Sequence, residues 1–177
     1  MTTMEAKPAA TSGTEPLAEQ GIMALTFARG VLLKLLDSIP ADKVTAQPIP
    51  ACNHALWVAG HVADTDDFFV RTLTGKPSAL PAGWKEKFGG GSAPSPDPKA
   101  YPPLAEVKRV LADRRDALIA YFRSLDRGAL LTPTPEKVKF FGPTVGSLAG
   151  SIAWHEGLHA GQVTMVRKGL GMPPLFG

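Results

Sequence analysis

The chain has 177 residues, 44% of them hydrophobic, with 19 Lys and Arg against 16 Asp and Glu and a single cysteine. That is one ordinary domain with enough apolar content for a core; Cys52 alone cannot form an internal disulfide, which argues against a disulfide-stapled scaffold and for a reducing, cytoplasmic setting. A net charge of +3 with no basic run gives no stripe for nucleic acid, and no apolar segment is long enough to cross a bilayer.

Met1 to Gly13 is mostly Ala, Thr, Ser and Pro with one Lys and no apolar core, so residues 1–13 read as a disordered tail ahead of a domain over residues 14–177. The first helix opens where Ser12, Glu15 and Pro16 give a capping-box spacing followed by proline, and runs to about Ser38. Its apolar stripe is Ile22, Leu25, Leu32, Leu36 and Ile39, interrupted by Arg29. The second helix follows Pro48 and Pro50, takes Asn53 as N-cap, and ends at Thr74 before Gly75 and Pro77.

Residues 76–101 form a long connection rich in Pro and Gly that nevertheless carries Trp84 and Phe88, a composition suited either to a cover over a site or to a surface loop pinned by its aromatics. The third helix starts at Pro102 and Pro103, presents Leu104, Val107, Leu111, Leu118, Phe122 and Leu125 on one face, and stops near Gly128. Weak alternation over Lys137 to Phe141 allows a short hairpin. The fourth helix spans about Val145 to Leu170, with Leu148, Ile152, Val163 and Val166 on a face. The expected fold is an all-α four-helix bundle with a long loop between helices two and three.

Within the fourth helix, His155-Glu156-Gly157-Leu158-His159 places two imidazoles about 40° apart and about 6 Å along the axis, so both can reach one metal ion. The pattern matches the zincin signature, in which the Glu activates a water. Yet no Asp, Glu, His or Cys follows His159, so a third ligand has to come from upstream. On the second helix the inward stripe Trp57, His61, Asp64, Phe68 supplies one, and His61, His155 and His159 become the predicted metal ligands. Three unpaired imidazoles facing one core would be costly, whereas around a divalent cation their nitrogens are satisfied and positions remain for water or substrate.

His54, seven residues before His61, is too far along the helix for the same ion and reads as a cap or rim residue. Asp64 is placed to accept a hydrogen bond from a ligand imidazole, while Asp66 and Asp67 read as a solvated face. Glu156 points about 100° away from His155 and reads as a surface or helix-packing carboxylate, with general base as its alternative. Gln162 either lines the site or caps a polar contact, and Cys52 is a small buried residue with no base beside it. Glu156 and Gln162 are thus the candidate catalytic side chains.

The run Ala55-Leu56-Trp57-Val58-Ala59-Gly60-His61, together with His155, His159, Gly161 and Gln162 and the closing Gly171-Met172-Pro173-Pro174-Leu175-Phe176, resembles the DinB superfamily. The resemblance covers nearly all of the chain after the tail. It implies an up-up-down-down bundle, zinc or nickel on the three histidines, and a homodimer. It also implies kinship with transferases and isomerases that use a low-molecular-weight thiol. The expected function is a metal-dependent enzyme that activates a thiol or water against a small-molecule substrate, as a transferase or hydrolase. The alternatives are a non-catalytic metal-binding bundle acting as a stress-associated dimer and, behind it, a metalloprotease.

Overall fold

A computed structural model describes residues 14–176. The tail over residues 1–13, with the Ser12 half of the capping spacing, lies outside the described residues. Four long helices dominate: α1 (Pro16–Asp37), α2 (Ala55–Thr74), α4 (Leu104–Arg123) and α6 (Leu148–Gly169), with two short ones, α3 (Trp84–Phe88) and α5 (Arg127–Leu131). No helix among the described residues is long and apolar enough to cross a membrane.

Helix ends follow local chemistry. The Glu15 carboxylate caps α1 by accepting from the amides of Leu17 and Ala18. α2 is capped by His54 and not by Asn53: the Trp57 amide donates to His54 Nδ1 at 3.0 Å. Its other end closes on Gly75 in the left-handed conformation, φ 71°, where a side chain would be strained. The third long helix stops at Arg123, five residues short of Gly128, because the Asp126 side chain caps a separate turn, α5, by accepting from the Ala129 amide. The hairpin expected over Lys137 to Phe141 is instead a 3-10 helix, Glu136–Phe141, and the single β feature among the described residues is an isolated bridge between Pro133 and Thr144.

α1 packs chiefly on α6, and α2 on α4; α2 with α6 and α1 with α4 close the remaining sides, while α1 and α2 barely meet. The core falls into two apolar clusters. One gathers Leu32, Leu36, Trp57, Val62, Leu111 and Val163, the other Leu25, Phe69, Leu118, Phe122, Leu148 and Ile152.

Between these clusters each long helix gives one buried charge to a shared network: Arg29 in α1, Asp66 in α2, Arg115 in α4 and Glu156 in α6. Asp66 accepts from Arg29 at 2.9 Å and from Arg115 twice at 3.0 Å, while Glu156 accepts from Arg29 and Arg115 at 2.6 Å each. The remaining guanidinium nitrogens reach across the bundle reciprocally, Arg29 to the Leu111 carbonyl and Arg115 to the Leu25 carbonyl. Two positive and two negative charges cancel, and every polar atom in this layer has a partner, the condition under which buried ions are tolerated. This corrects two readings. Arg29 belongs in its apolar stripe, and Asp66 and Asp67 are fully buried, the latter bonded to Arg71, Ser78 and the Ala79 amide.

Candidate metal centre

His61, His155 and His159 converge as expected: one ring nitrogen from each lies within 4.8 Å of the others. α6 contributes two of them through i, i+4 spacing, and their Nε2 atoms are 3.2 Å apart. α2 brings the third, with the His61 ring centroid 4.7 Å from that of His159 and 5.4 Å from that of His155.

What the imidazoles do on their other side matters as much. His61 Nδ1 lies 2.9 Å from the Phe88 carbonyl oxygen, which can only accept, so Nδ1 carries the proton and Nε2 keeps its lone pair. His159 Nδ1 lies 2.9 Å from Gln162 Oε1, and that oxygen also accepts from Asn53 Nδ2 at 3.1 Å, so both contacts agree on which end of the amide faces the ring. The indole of Trp57 stacks on His61 at 4.6 Å, 9° from parallel, and is itself held by Nε1 donating to Ser92 Oγ. Hydrogen bonding therefore fixes the tautomers of His61 and His159 before any ion arrives, as in metal sites generally.

Burial pushes His155 and His159 down to about 4, with the neighbouring imidazoles adding to the effect, and burial lowers His61 as well. All three are neutral at pH 7, the state a metal requires. Three neutral imidazoles, two of them with Nδ1 tied back so that Nε2 keeps its lone pair, fit a divalent cation, and leave the rest of its coordination sphere to exogenous ligands.

The other predicted residues divide. Gln162 does both things foreseen for it, lining the site and making a polar contact. Asp64 does not bond an imidazole; the Phe88 carbonyl takes that place at His61, and burial raises the Asp64 carboxyl above the ordinary range. Glu156 is a packing carboxylate, fully buried, with both oxygens committed to Arg29 and Arg115. Its surface reading is corrected, and the carboxylate a zincin would turn towards its water is tied into the core instead. His54 is buried, not on the rim.

Residues 76–101 reach the centre through α3. A Cβ on Gly60 would lie 2.2 Å from the Phe88 ring, so glycine is what lets Phe88 press on α2 and deliver its carbonyl to the next residue, His61. Trp84 pins the same turn, its Nε1 donating to the Gly60 carbonyl at 3.0 Å. The Gly60-His61 pair was the available signal for this contact, but the carbonyl's origin in a distant loop has no sequence signature.

A comparison with curated protein sequences finds no match. Among solved structures, the crystal structure of a conserved protein from Enterococcus faecalis aligns with a TM-score of 0.60 at 18% identity, over 87% of this chain and 97% of the other. That likeness establishes a shared fold. A comparison with family profiles matches residues 24–163 to the DinB superfamily, most of the chain and all three histidines. The chain belongs to the DinB superfamily.

Proposed function

We propose that the protein is a metal-dependent enzyme in which His61, His155 and His159 hold one zinc or nickel ion and open its free positions to a thiol or water. The observation that carries this reading is the convergence of three imidazoles, two of them held from behind, His61 by the Phe88 carbonyl and His159 by Gln162. The bound ion would supply Lewis acidity, lowering the pKa of a coordinated thiol or water into the physiological range. The chain's own part is to keep the imidazoles neutral by burial, to fix the tautomers of His61 and His159, and to place the Trp57 indole as an apolar wall. A thiol as nucleophile gives a transferase acting on a small electrophile, and water gives a hydrolase. The buried, doubly paired Glu156 argues against the metalloprotease.

The test is elemental analysis of the untagged protein beside the variant with His61, His155 and His159 all changed to Ala. One equivalent in the parent and none in the variant supports the centre; equal, negligible metal in both after loading with zinc or nickel sinks it. Turnover of electrophiles by the loaded protein only with a low-molecular-weight thiol marks the transferase, and turnover with water alone the hydrolase. Tight metal with neither marks a structural ion.

The helix pairing supports the up-up-down-down order, in which chain neighbours α1 and α2 sit diagonally. The homodimer has its own support on the α1/α6 face. Between Gln20 and Leu33, and between Leu148 and Val166, the only Lys, Arg, Asp or Glu residues are Arg29 and Glu156, both buried. That face instead exposes Met23, Phe27, Trp154, Leu158 and Met165, beside a groove of about 380 Å³ between α1 and α6. Five side chains of this size expose on the order of 600 Å², near the ~800 Å² that each partner of a stable complex covers. Protrusions and groove on one face suit a two-fold copy. Trp154→Asp with Phe27→Asp should give a folded monomer by analytical ultracentrifugation; a parent that is monomeric at micromolar concentration refutes the assignment.

A further inference from the structure

We propose a second binding site, for a small organic carboxylate, in the cavity between the C-terminal half of α2, the start of the 76–101 connection and α4. The cavity measures about 440 Å³, within the range of small-molecule pockets, and Val70, Lys76, Arg114, Ala117, Ala120 and Tyr121 define it. Val70 and Thr74 follow His61 by nine and thirteen residues on one helix, roughly 14 to 20 Å along its axis, so this site is separate from the metal centre.

One guanidinium in the cavity wall is underused. Arg29 and Arg115 each bond through all three nitrogens. Arg114, only 17% exposed in its side chain, makes one contact at 3.5 Å to Asp67 Oδ1, and its Nε is buried without a partner. Asp67 offers it little, being taken by Arg71 at 2.9 Å, Ser78 at 2.7 Å and the Ala79 amide at 3.1 Å. A partly desolvated cation with idle donors costs free energy that an arriving anion recovers.

The rest of the wall fits such a ligand. Lys76 adds a second cation, no acidic side chain lines the cavity among the described residues, and the Tyr121 hydroxyl makes no hydrogen bond to them. Val70, Pro77, Ala79, Ala117 and Ala120 form an apolar bed that a bare inorganic anion would leave uncovered. A planar carboxylate matches the guanidinium fork, with an aliphatic or aromatic body lying on the alanines of α4.

The experiment follows backbone amide NMR shifts of the full-length, metal-loaded protein during titration with benzoate at constant ionic strength, with inorganic phosphate and benzyl alcohol as comparisons. Saturable shifts over residues 70–79 and 114–124, with both comparison compounds at least tenfold weaker, are expected. Arg114→Gln should weaken benzoate about tenfold or more. Ala120→Leu, an exposed helical position, should block it by filling the apolar bed while leaving Arg114 in place, which decides the matter should R114Q fold poorly. The proposal falls if benzoate gives no saturable shifts, if they centre on the three histidines, if phosphate binds as well as benzoate, or if Ala120→Leu binds like the parent.

Discussion

Changing Glu156 to Gln separates a structural acid from a catalytic one. Gln keeps the shape of the side chain but removes a charge that accepts from Arg29 and Arg115 at 2.6 Å each, in a position with no solvent exposure. The layer then carries two guanidiniums against one carboxylate, and the new amide N–H₂ faces a donor. Breaking a buried pair by removing one partner costs about 3–5 kcal/mol, a large share of the roughly 5–15 kcal/mol that holds a domain folded. For a chain of this size that is a fall in Tm of roughly 6–20 °C. The assays are thermal and urea unfolding of the metal-free protein, with metal stoichiometry measured well below the transition. Stability should drop steeply while the folded fraction still takes up one ion per chain. A Tm within about 2 °C of the parent, with activity abolished, would refute the structural reading and restore Glu156 as a general base.

Three further outcomes follow. Gln162→Leu removes the acceptor at His159 Nδ1 and should weaken metal binding about 10–100-fold, read by competition with a chelator, with little change in the unfolding midpoint of the metal-free protein. Gly60→Ala drives a methyl into the Phe88 ring and should cost about 1–3 kcal/mol by urea unfolding, with weaker metal binding as the carbonyl leaves His61; parent-like values would show that α3 simply moves aside. The pH dependence has a definite sign. His54, His155 and His159 sit near 4 when folded and near 6.5 when unfolded, so between these values the unfolded chain binds more protons. Stability of the metal-free protein should therefore be intact above about pH 6.5 and fall as pH drops towards 4; a flat profile over that window in urea titrations would contradict the burial of these rings.

The periodicity of four long segments and the i, i+4 histidines were legible because both depend on spacing within one helix. His61 was reachable because nothing downstream of His159 can ligate and the inward phase of the second helix picks it out among the upstream candidates. The charged layer was not legible, for a specific reason. Asp66 and Asp67 stand close to Asp64 in an acidic run, which reads as a wet surface, and their partners are remote in sequence: Arg29 lies 37 residues from Asp66, Arg115 lies 49, and Glu156 lies 127 from Arg29. The one hint was Arg29 itself, out of place in an apolar stripe. His54 was read as a cap or rim residue while Asn53 was taken as the N-cap of α2 on its stronger intrinsic preference; the buried imidazole, packed against Tyr101 at 5.0 Å, is the residue that caps. The Phe88 carbonyl carries no side-chain signature at all.

The layer of four charges, one per long helix, also bears on how the chain reaches this structure. With any one helix undocked, the remaining three hold an odd charge in a desolvated place, a penalty no partial assembly avoids except by staying open to water. Compact three-helix intermediates are thereby disfavoured, as are pairings that slide one helix by a turn and part a guanidinium from its carboxylate. The apolar clusters on either side would tolerate such slips, being made of Leu, Val and Phe that repack easily. The ionic layer does not, and so it makes assembly of the bundle cooperative and its register single-valued, which a centre built from side chains on two different helices requires.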